Sequence, residues 1–398
     1  MTNASTRRTV IFAGGGTGGH LFPGIAVARE LLAREPDARV LFVGSQKPIE
    51  PDIVVGAGFE HVALPSVSPS LTPTRIGSSL LRNWQAYQQA RTILLRKRPS
   101  VVVGLGGFAS VPPVLAAWRA GVPIVLLEQN VVPGKATRWL SRFADTVCLP
   151  WAETAKHLSP RIRAVVTGNP IRHEIAELAN AIHGSHQHDA PASDSSENPS
   201  LARRATSESP TLLILGGSQG AASLNASVLD ALATLRAEIA GWRIVHQTGA
   251  ADLDAIRQRY AALSLAADVQ PFFRDMAEQY RRATCVISRA GATTLAELAC
   301  AGLPALLVPL PTSAHDHQRL NARLFADHSA ALVAEPSSPA ADSLRASLVQ
   351  LLSDHPLRDR LRNNVGDLAQ PQAARAVVEI LREQSIKNDV RQEPRART

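Results

Sequence analysis

Cysteine is scarce in this chain, with only Cys148, Cys285 and Cys300 among 398 residues. They lie far apart and form no CxxC or Cys/His cluster, which argues against a disulfide framework or a zinc site. They read as reduced core thiols. Aromatic residues make up only 4% of the chain and no recognised nucleic-acid-binding motif is present, so the net charge of +8 does not point to a nucleic-acid partner. Long apolar runs are missing too. The best candidate, Leu303 to Pro311, is short, is broken by prolines and falls well below the roughly 18 uncharged residues of a membrane span. Val10 to Ala13 runs at once into glycines and is too short for the core of a signal peptide. Any membrane association is therefore expected to be peripheral.

Acid is absent locally. Between Glu60 and Glu128 there is no Asp or Glu, while Arg75, Arg82, Arg91, Arg96, Lys97, Arg98 and Arg119 all fall there. So one-sided a segment suits an anionic partner such as lipid headgroups or a pyrophosphate, although a solvated basic face has the same composition.

The length exceeds what one hydrophobic core ordinarily sustains and predicts two domains. Residues 8–13 read as a buried strand, a glycine loop follows, and Ile25, Ala28, Leu31 and Leu32 then recur at helical spacing. Further short apolar runs at 39–43, 100–103, 122–127 and 145–149 alternate with helix-like stretches, as in a doubly wound parallel sheet. The pattern restarts at 211–215 and continues near 243–247, 284–288, 304–309 and 330–334. The expectation is an α/β domain over 1–172, a second over 173–370, and a last helix over about 371–384 joined to the first. Residues 183–210, rich in Ser, Ala, Pro, Asp and His, read as a disordered insertion whose His183, His186 and His188 are solvated, and 385–398 read as a frayed polar tail.

Gly14, Gly16 and Gly19 match the GxGxxG spacing of a dinucleotide fold. Glycines let the chain turn sharply and bring N–H groups to an anion at a helix N-terminus. The acid that would hold a ribose at the end of the second strand is missing, because that strand ends in Gly44-Ser45-Gln46, so NAD is disfavoured. Ser45 and Lys47 keep open an NADP-dependent reductase. Two more glycine loops follow strands, at Gly104-Leu105-Gly106-Gly107 and Gly216-Gly217-Ser218-Gln219-Gly220, and no GxxxxGK[ST] of a P-loop kinase occurs. Three loops exceed one cofactor's needs, and the first carries a titratable group, His20.

Five ordered motifs resemble the MurG family of glycosyltransferases: Gly14 to His20 with Pro23-Gly24; Glu128-Gln129-Asn130; Gly168-Asn169-Pro170-Ile171-Arg172; Gly216 to Ala221; and Ser288-Arg289-Ala290-Gly291 running on to Glu297. The resemblance spans about 8–380 apart from the insertion. It implies a GT-B fold, two Rossmann-like domains facing a central cleft, and inverting transfer of N-acetylglucosamine from UDP-N-acetylglucosamine to undecaprenyl-pyrophosphoryl-N-acetylmuramyl-pentapeptide, converting lipid I to lipid II at the cytoplasmic face of the bacterial inner membrane. A related transferase with another acceptor remains an alternative.

The resemblance further implies that Ser218 and the N–H groups of Ala292, Thr293, Thr294, Leu295 and Ala296 meet the donor phosphates, and that Glu297 accepts from the ribose. Phe273 would read the uracil through its backbone. Arg172 and Gln318 would line the donor site, and Asn130 with Thr17, Gly18 and Gly19 would lie near the transferred sugar. Gly15, Gly16, Gly106 and Gly107 are candidates for the acceptor pyrophosphate. His20 is the candidate base, since its ordinary pKa of about 6.5 suits that work and a helix N-terminus favours its neutral form. Neither metal nor other cofactor is expected.

Overall fold

Val10-Ile11-Phe12-Ala13 has no polar interruption and so must bury both of its faces, which suits the middle of a parallel sheet. The computed structural model, which describes residues 8–68, 72–183, 209–216, 221–311, 316–335 and 340–392, puts it there. In chain order the first unit contains β1 (Thr9–Gly14), α1 (Gly18–Arg34), β2 (Arg39–Ser45), α2 (Ile49–Gly56), β3 (Glu60–Leu64), α3 (Pro73–Lys97), β4 (Val101–Gly106), α4 (Val111–Ala120), β5 (Ile124–Leu127), α5 (Lys135–Leu140), β6 (Thr146–Leu149) and β7 (Ala164–Val166). The strands form one seven-stranded sheet in the order β3-β2-β1-β4-β5-β6-β7, every pair parallel. Helix boundaries follow local chemistry: α4 carries Pro112 and Pro113 in its first turn and stops at Gly121, whose φ of 69° is left-handed.

The second unit contains α6 (His173–His183), β8 (Thr211–Leu215), α7 (Ala222–Thr234), β9 (Arg243–Gln247), α8 (Leu253–Ala262), β10 (Ala267–Gln270), α9 (Met276–Arg282), β11 (Cys285–Ser288), α10 (Ala292–Cys300), β12 (Ala305–Leu307), α11 (His317–Asp327), β13 (Leu332–Val333), α12 (Ala340–Ser353) and α13 (His355–Gly366). Its six strands run β10-β9-β8-β11-β12-β13, again all parallel. The chain partitions into Met1–Arg172 with Gln372–Thr398, and His173–Pro371. Both are Rossmann-like α/β units. Most of the 183–210 segment, including His186 and His188, lies outside the described residues, as does Ser218.

The last helix, α14 (Ala373–Gln392), returns to the first unit. Its Val377, Val378, Ile380 and Leu381 join Leu21, Val27 and Leu31 of α1 in the core on one face of the first sheet. Ala86, Ala90 and Leu94 of α3 pack on the other face with Val114 and Ala117 of α4. The helix does not stop near 384. It continues to Gln392, with Ser385 and Asn388 buried, because its polar residues are used: Gln384 donates to the Thr146 hydroxyl at 3.2 Å and Arg163 pairs with Glu383 at 2.7 Å. Arg382 and Arg8 both pair with Glu35, at 2.7 and 2.8 Å.

Candidate active site

The first glycine loop leaves β1 at Gly14 and enters α1 after Thr17, which caps the helix in an extended conformation. Pairing of β1 with β4 slips at Ala13/Gly14, so Gly14 lies opposite Gly106. The two loops of the first unit therefore meet: a Cβ on Gly14 would lie 2.8 Å from the Leu105 Cβ, and one on Gly107, with φ of 69°, would lie 3.1 Å from the Gly15 carbonyl oxygen. His20, half-buried in the first turn of α1, places its ring against Gly106, where a Cβ would come within 3.0 Å of Cδ2 and 3.3 Å of Nε2. Its Nδ1 lies 3.1 Å from the Thr17 hydroxyl. Thus Thr17, Gly18, Gly19, His20, Gly15, Gly16, Gly106 and Gly107 come together at the carboxyl ends of the central strands β1 and β4.

Beneath them sits a residue that the sequence did not single out. Glu50, on α2, is fully buried. Its carboxylate accepts from the Gly16 N–H at 2.7 Å, from the Ser45 N–H at 2.7 Å and from the Ser45 hydroxyl, and His61 Nε2 stands 3.6 Å away. Burial pushes the Glu50 pKa up, but these donors and His61 outweigh it and hold the carboxyl below its ordinary range. The N–H of Gly16 is therefore committed to Glu50 and is not a spare donor for an anion. Lys47 Nζ in turn donates to the Gly16 carbonyl at 3.3 Å.

After β5, Glu128 organises the next loop. Its Oε1 accepts from the N–H groups of Gln129 and Asn130, at 3.0 and 2.9 Å, and from Asn130 Nδ2 at 3.2 Å, while its Oε2 accepts from the Gly134 N–H at 3.1 Å. Asn130 is thus held by both its backbone and its side chain. Gln129, also buried, donates to the Leu105 and Leu127 carbonyls at 3.3 and 3.1 Å, which ties this loop to the Gly106 strand. Arg172, half-buried, ends the first stretch of the unit.

In the second unit a polar network lies at the end of β8. Asn225 donates to the Thr248 carbonyl at 3.0 Å and to Asp252 at 2.8 Å, and its Oδ1 lies 3.1 Å from His246 Nε2. His246 Nδ1 lies 3.0 Å from the Tyr260 hydroxyl, and burial lowers the imidazole pKa to about 4. Gly216 rests on this network, since a Cβ there would lie 3.2 Å from Asn225 Oδ1 and 3.0 Å from the Gln247 carbonyl. The side chain of Gln247 accepts from the Phe273 N–H at 3.5 Å, and Phe273 itself is buried.

Gly291 caps α10, whose first turn carries Ala292, Thr293 and Thr294, followed by Leu295 and Ala296. Glu297 is not a surface carboxylate: it is 3% exposed and its Oε2 accepts from the Tyr280 hydroxyl at 3.0 Å. Gln318 accepts from the Leu310 N–H at 3.0 Å. Arg289, not among the sequence candidates as a site residue, donates to the Val308 and Pro309 carbonyls at 3.0 and 3.3 Å and to the Ser223 hydroxyl at 2.6 Å, so it fastens the start of α7 to the end of β12. Burial lowers its pKa. The contacts of Glu50 with Gly16 and of Arg289 with Ser223 have no local sequence signature, because they join segments distant in the chain.

Two family models match this chain: the glycosyltransferase family 28 N-terminal domain over residues 10–149 and the glycosyltransferase family 28 C-terminal domain over 211–376. The chain is 38% identical over 375 residues, 93% of its own length and 98% of the relative's, to the UDP-N-acetylglucosamine–N-acetylmuramyl-(pentapeptide) pyrophosphoryl-undecaprenol N-acetylglucosamine transferase of Pelobacter propionicus. It is also 38% identical to the enzyme of the same name from Anaeromyxobacter dehalogenans, over 94% of this chain and 92% of that one. The crystal structure of Acinetobacter baumannii MurG superposes with a TM-score of 0.71 at 29% identity, covering 94% of this chain and 99% of that one. With glycine loops, helix N-termini and buried carboxylates arranged on two Rossmann-like sheets of that fold, this chain belongs to glycosyltransferase family 28, and within it to the MurG family.

Proposed function

We propose that this chain transfers N-acetylglucosamine from UDP-N-acetylglucosamine to the C4 hydroxyl of N-acetylmuramyl-pentapeptide-pyrophosphoryl-undecaprenol, inverting the anomeric centre. The observation that carries the reading is the match, over nearly the whole chain, to relatives named for this transfer. The geometry around His20 supports it. When Nδ1–H donates to the Thr17 hydroxyl, 3.1 Å away, the lone pair is left on Nε2, on the side of the ring that faces Gly106. The C4 hydroxyl gives its proton to Nε2 while its oxygen attacks the anomeric carbon from the face opposite UDP, and UDP leaves with the electrons of the broken glycosidic bond. No covalent intermediate is required.

The second unit holds the donor. The N–H groups at the start of α10 meet the diphosphate, whose growing charge the helix N-terminus favours. Ser218 assists them, Glu297 accepts from the ribose, Phe273 reads the uracil, and Gln318 lines the site. Gly15, Gly106 and Gly107 adjoin the acceptor pyrophosphate. The test is transfer of labelled sugar to a short-chain acceptor analogue with UDP release followed in parallel. Transfer supports the reading, and UDP release without transfer refutes the acceptor.

The same reading seats the enzyme peripherally on the cytoplasmic face of the inner membrane. Among the described residues no helix is long and apolar enough to cross a membrane. On α3, Ile76, Leu80, Leu81 and Trp84 are exposed at helical spacing beside Arg82, and Leu95 is exposed near Arg91 and Arg96. Leu94, by contrast, is buried in the core, and Tyr87 and Ile93 are half-buried. Exposed apolar and basic side chains on one helix suit anionic lipid. The expected outcome of liposome sedimentation is preference for anionic vesicles, weakened about tenfold or more by the pair Leu80→Ser and Trp84→Ser.

A further inference from the structure

We propose that Glu50 is a positioning residue for sugar transfer: its carboxylate, buried beneath the first glycine loop, holds Thr17 and His20 in the arrangement that deprotonates the acceptor. The proposal rests on the reading of His20 as the base.

A carboxylate with no exposed surface is costly unless its oxygens are satisfied, and those of Glu50 are. Its donors come from two places far apart in the chain. Gly16 belongs to the loop after β1, and Ser45 ends β2. One side chain therefore ties the end of one strand to the loop that leaves its neighbour. Charge-assisted hydrogen bonds of this kind are about twice as strong as neutral ones, so the tie is stiff.

The surrounding glycines fit the acid. A Cβ on Gly15 or on Gly44 would collide with the Glu50 carboxyl group. Glycine at these two positions thus makes room for a protein carboxylate. The same carboxylate occupies the Gly16 N–H, the donor that a phosphate in this loop would otherwise claim.

From Gly16 the path to the chemistry is short. The next residue, Thr17, caps α1 and meets His20 Nδ1, and the Gly15 carbonyl abuts Gly107 beside the strand end on which the His20 ring rests. Displacement of Gly15–Gly16 would move both the residue that orients the imidazole and the surface that seats it. Glu50 and the groups it binds all belong to the first unit, so its influence should fall on turnover and spare donor affinity.

The test is steady-state transfer by Glu50→Gln, His20→Ala and the double variant. Glutamine keeps the volume but turns one oxygen into an N–H₂ group, which must face the N–H of Gly16 or of Ser45. The expected result is a fall in kcat of about a hundredfold, the size of effect that a misplacement of about 1 Å produces, with KM for UDP-N-acetylglucosamine within about twofold of the parent. Because Glu50 acts through His20, adding Glu50→Gln to His20→Ala should cost no more than about threefold further. An unchanged kcat in Glu50→Gln, or losses that multiply fully in the double variant, overturns the proposal. His20→Ala at parental turnover overturns the base reading instead, so the two fail separately. If Glu50→Gln does not fold, Ser45→Ala removes one donor and leaves the charge. A drop in kcat of about fivefold at constant donor KM then supports the proposal, and parental kcat overturns it.

Discussion

The two units place different polar groups at the ends of their central strands. Each must hold a glycine loop at the end of its central strand. The first does so with a buried charge, Glu50, whose carboxylate takes the Gly16 N–H. The second has, beside Gly216, a network in which His246 is kept uncharged by burial and Asn225 bridges it to the Thr248 carbonyl and the Asp252 carboxylate. A buried negative charge under a loop spends the backbone donors it occupies, here the Gly16 N–H, whereas an imidazole kept neutral by burial adds no charge of its own. On the proposed reading, the loop braced by Glu50 is the one that carries His20.

The largest expected effect breaks this contrast at His20. His20→Ala should lower kcat by about a thousandfold, within the usual range for a lost general base, while donor affinity measured by calorimetry stays near that of the parent. A variant of the second unit, Glu297→Gln, should do the reverse and raise the donor KM more than it lowers kcat.

Next in size is a pH effect that separates the two supports. The folded pKa of His246, about 4, lies below its ordinary 6.5. Neutral His246 therefore stabilises the fold fully above pH 6.5, and that contribution is lost as pH falls from 6.5 toward 4, because the unfolded chain takes up a proton that the folded one refuses. The whole effect is worth about 3 kcal/mol. Urea unfolding at about pH 7 and about pH 4.5 should show this loss in the parent and a flatter profile in His246→Gln. The Glu50 carboxyl is also shifted down, but its contribution is present above the ordinary carboxylate value of 4.5 and is lost only below it. The second unit should therefore soften first on acidification.

The smallest effect concerns α14. Arg163 holds Glu383 down at about 2, yet both side chains are more than two-fifths exposed, so solvent screens the pair. Arg163→Ala should cost no more than about 1 kcal/mol by thermal unfolding, since the helix is held chiefly by Val377, Val378 and Leu381.

Much of this architecture is legible in sequence because central strands of a parallel sheet are apolar on both faces. The runs at β1, β4, β5, β8 and β11 announce themselves. The strands β3, β7 and β10 do not, because they are only partly buried and carry mixed patterns such as Glu60-His61-Val62-Ala63-Leu64. The end of α14 is hidden for a different reason: the residues from Ser385 on look like a solvated tail until Ser385 and Asn388 are buried against the first unit and Lys387 pairs with Glu383.

By itself the sequence determined the α/β class, the doubling of the pattern, the glycine loops and the family, all of which rest on short contiguous stretches of chain. Tertiary structure alone decided what lies beneath those loops. Glu50, followed by Pro51 and Asp52, reads as an ordinary acid at a helix start, and His246 as an ordinary strand residue. Each acquires its role only when parallel pairing of neighbouring strands brings Ser45 beside Gly16, or Asn225 beside Gly216 and Thr248. A buried polar group must find its partners wherever the sheet delivers them, and that choice is made in space rather than along the chain.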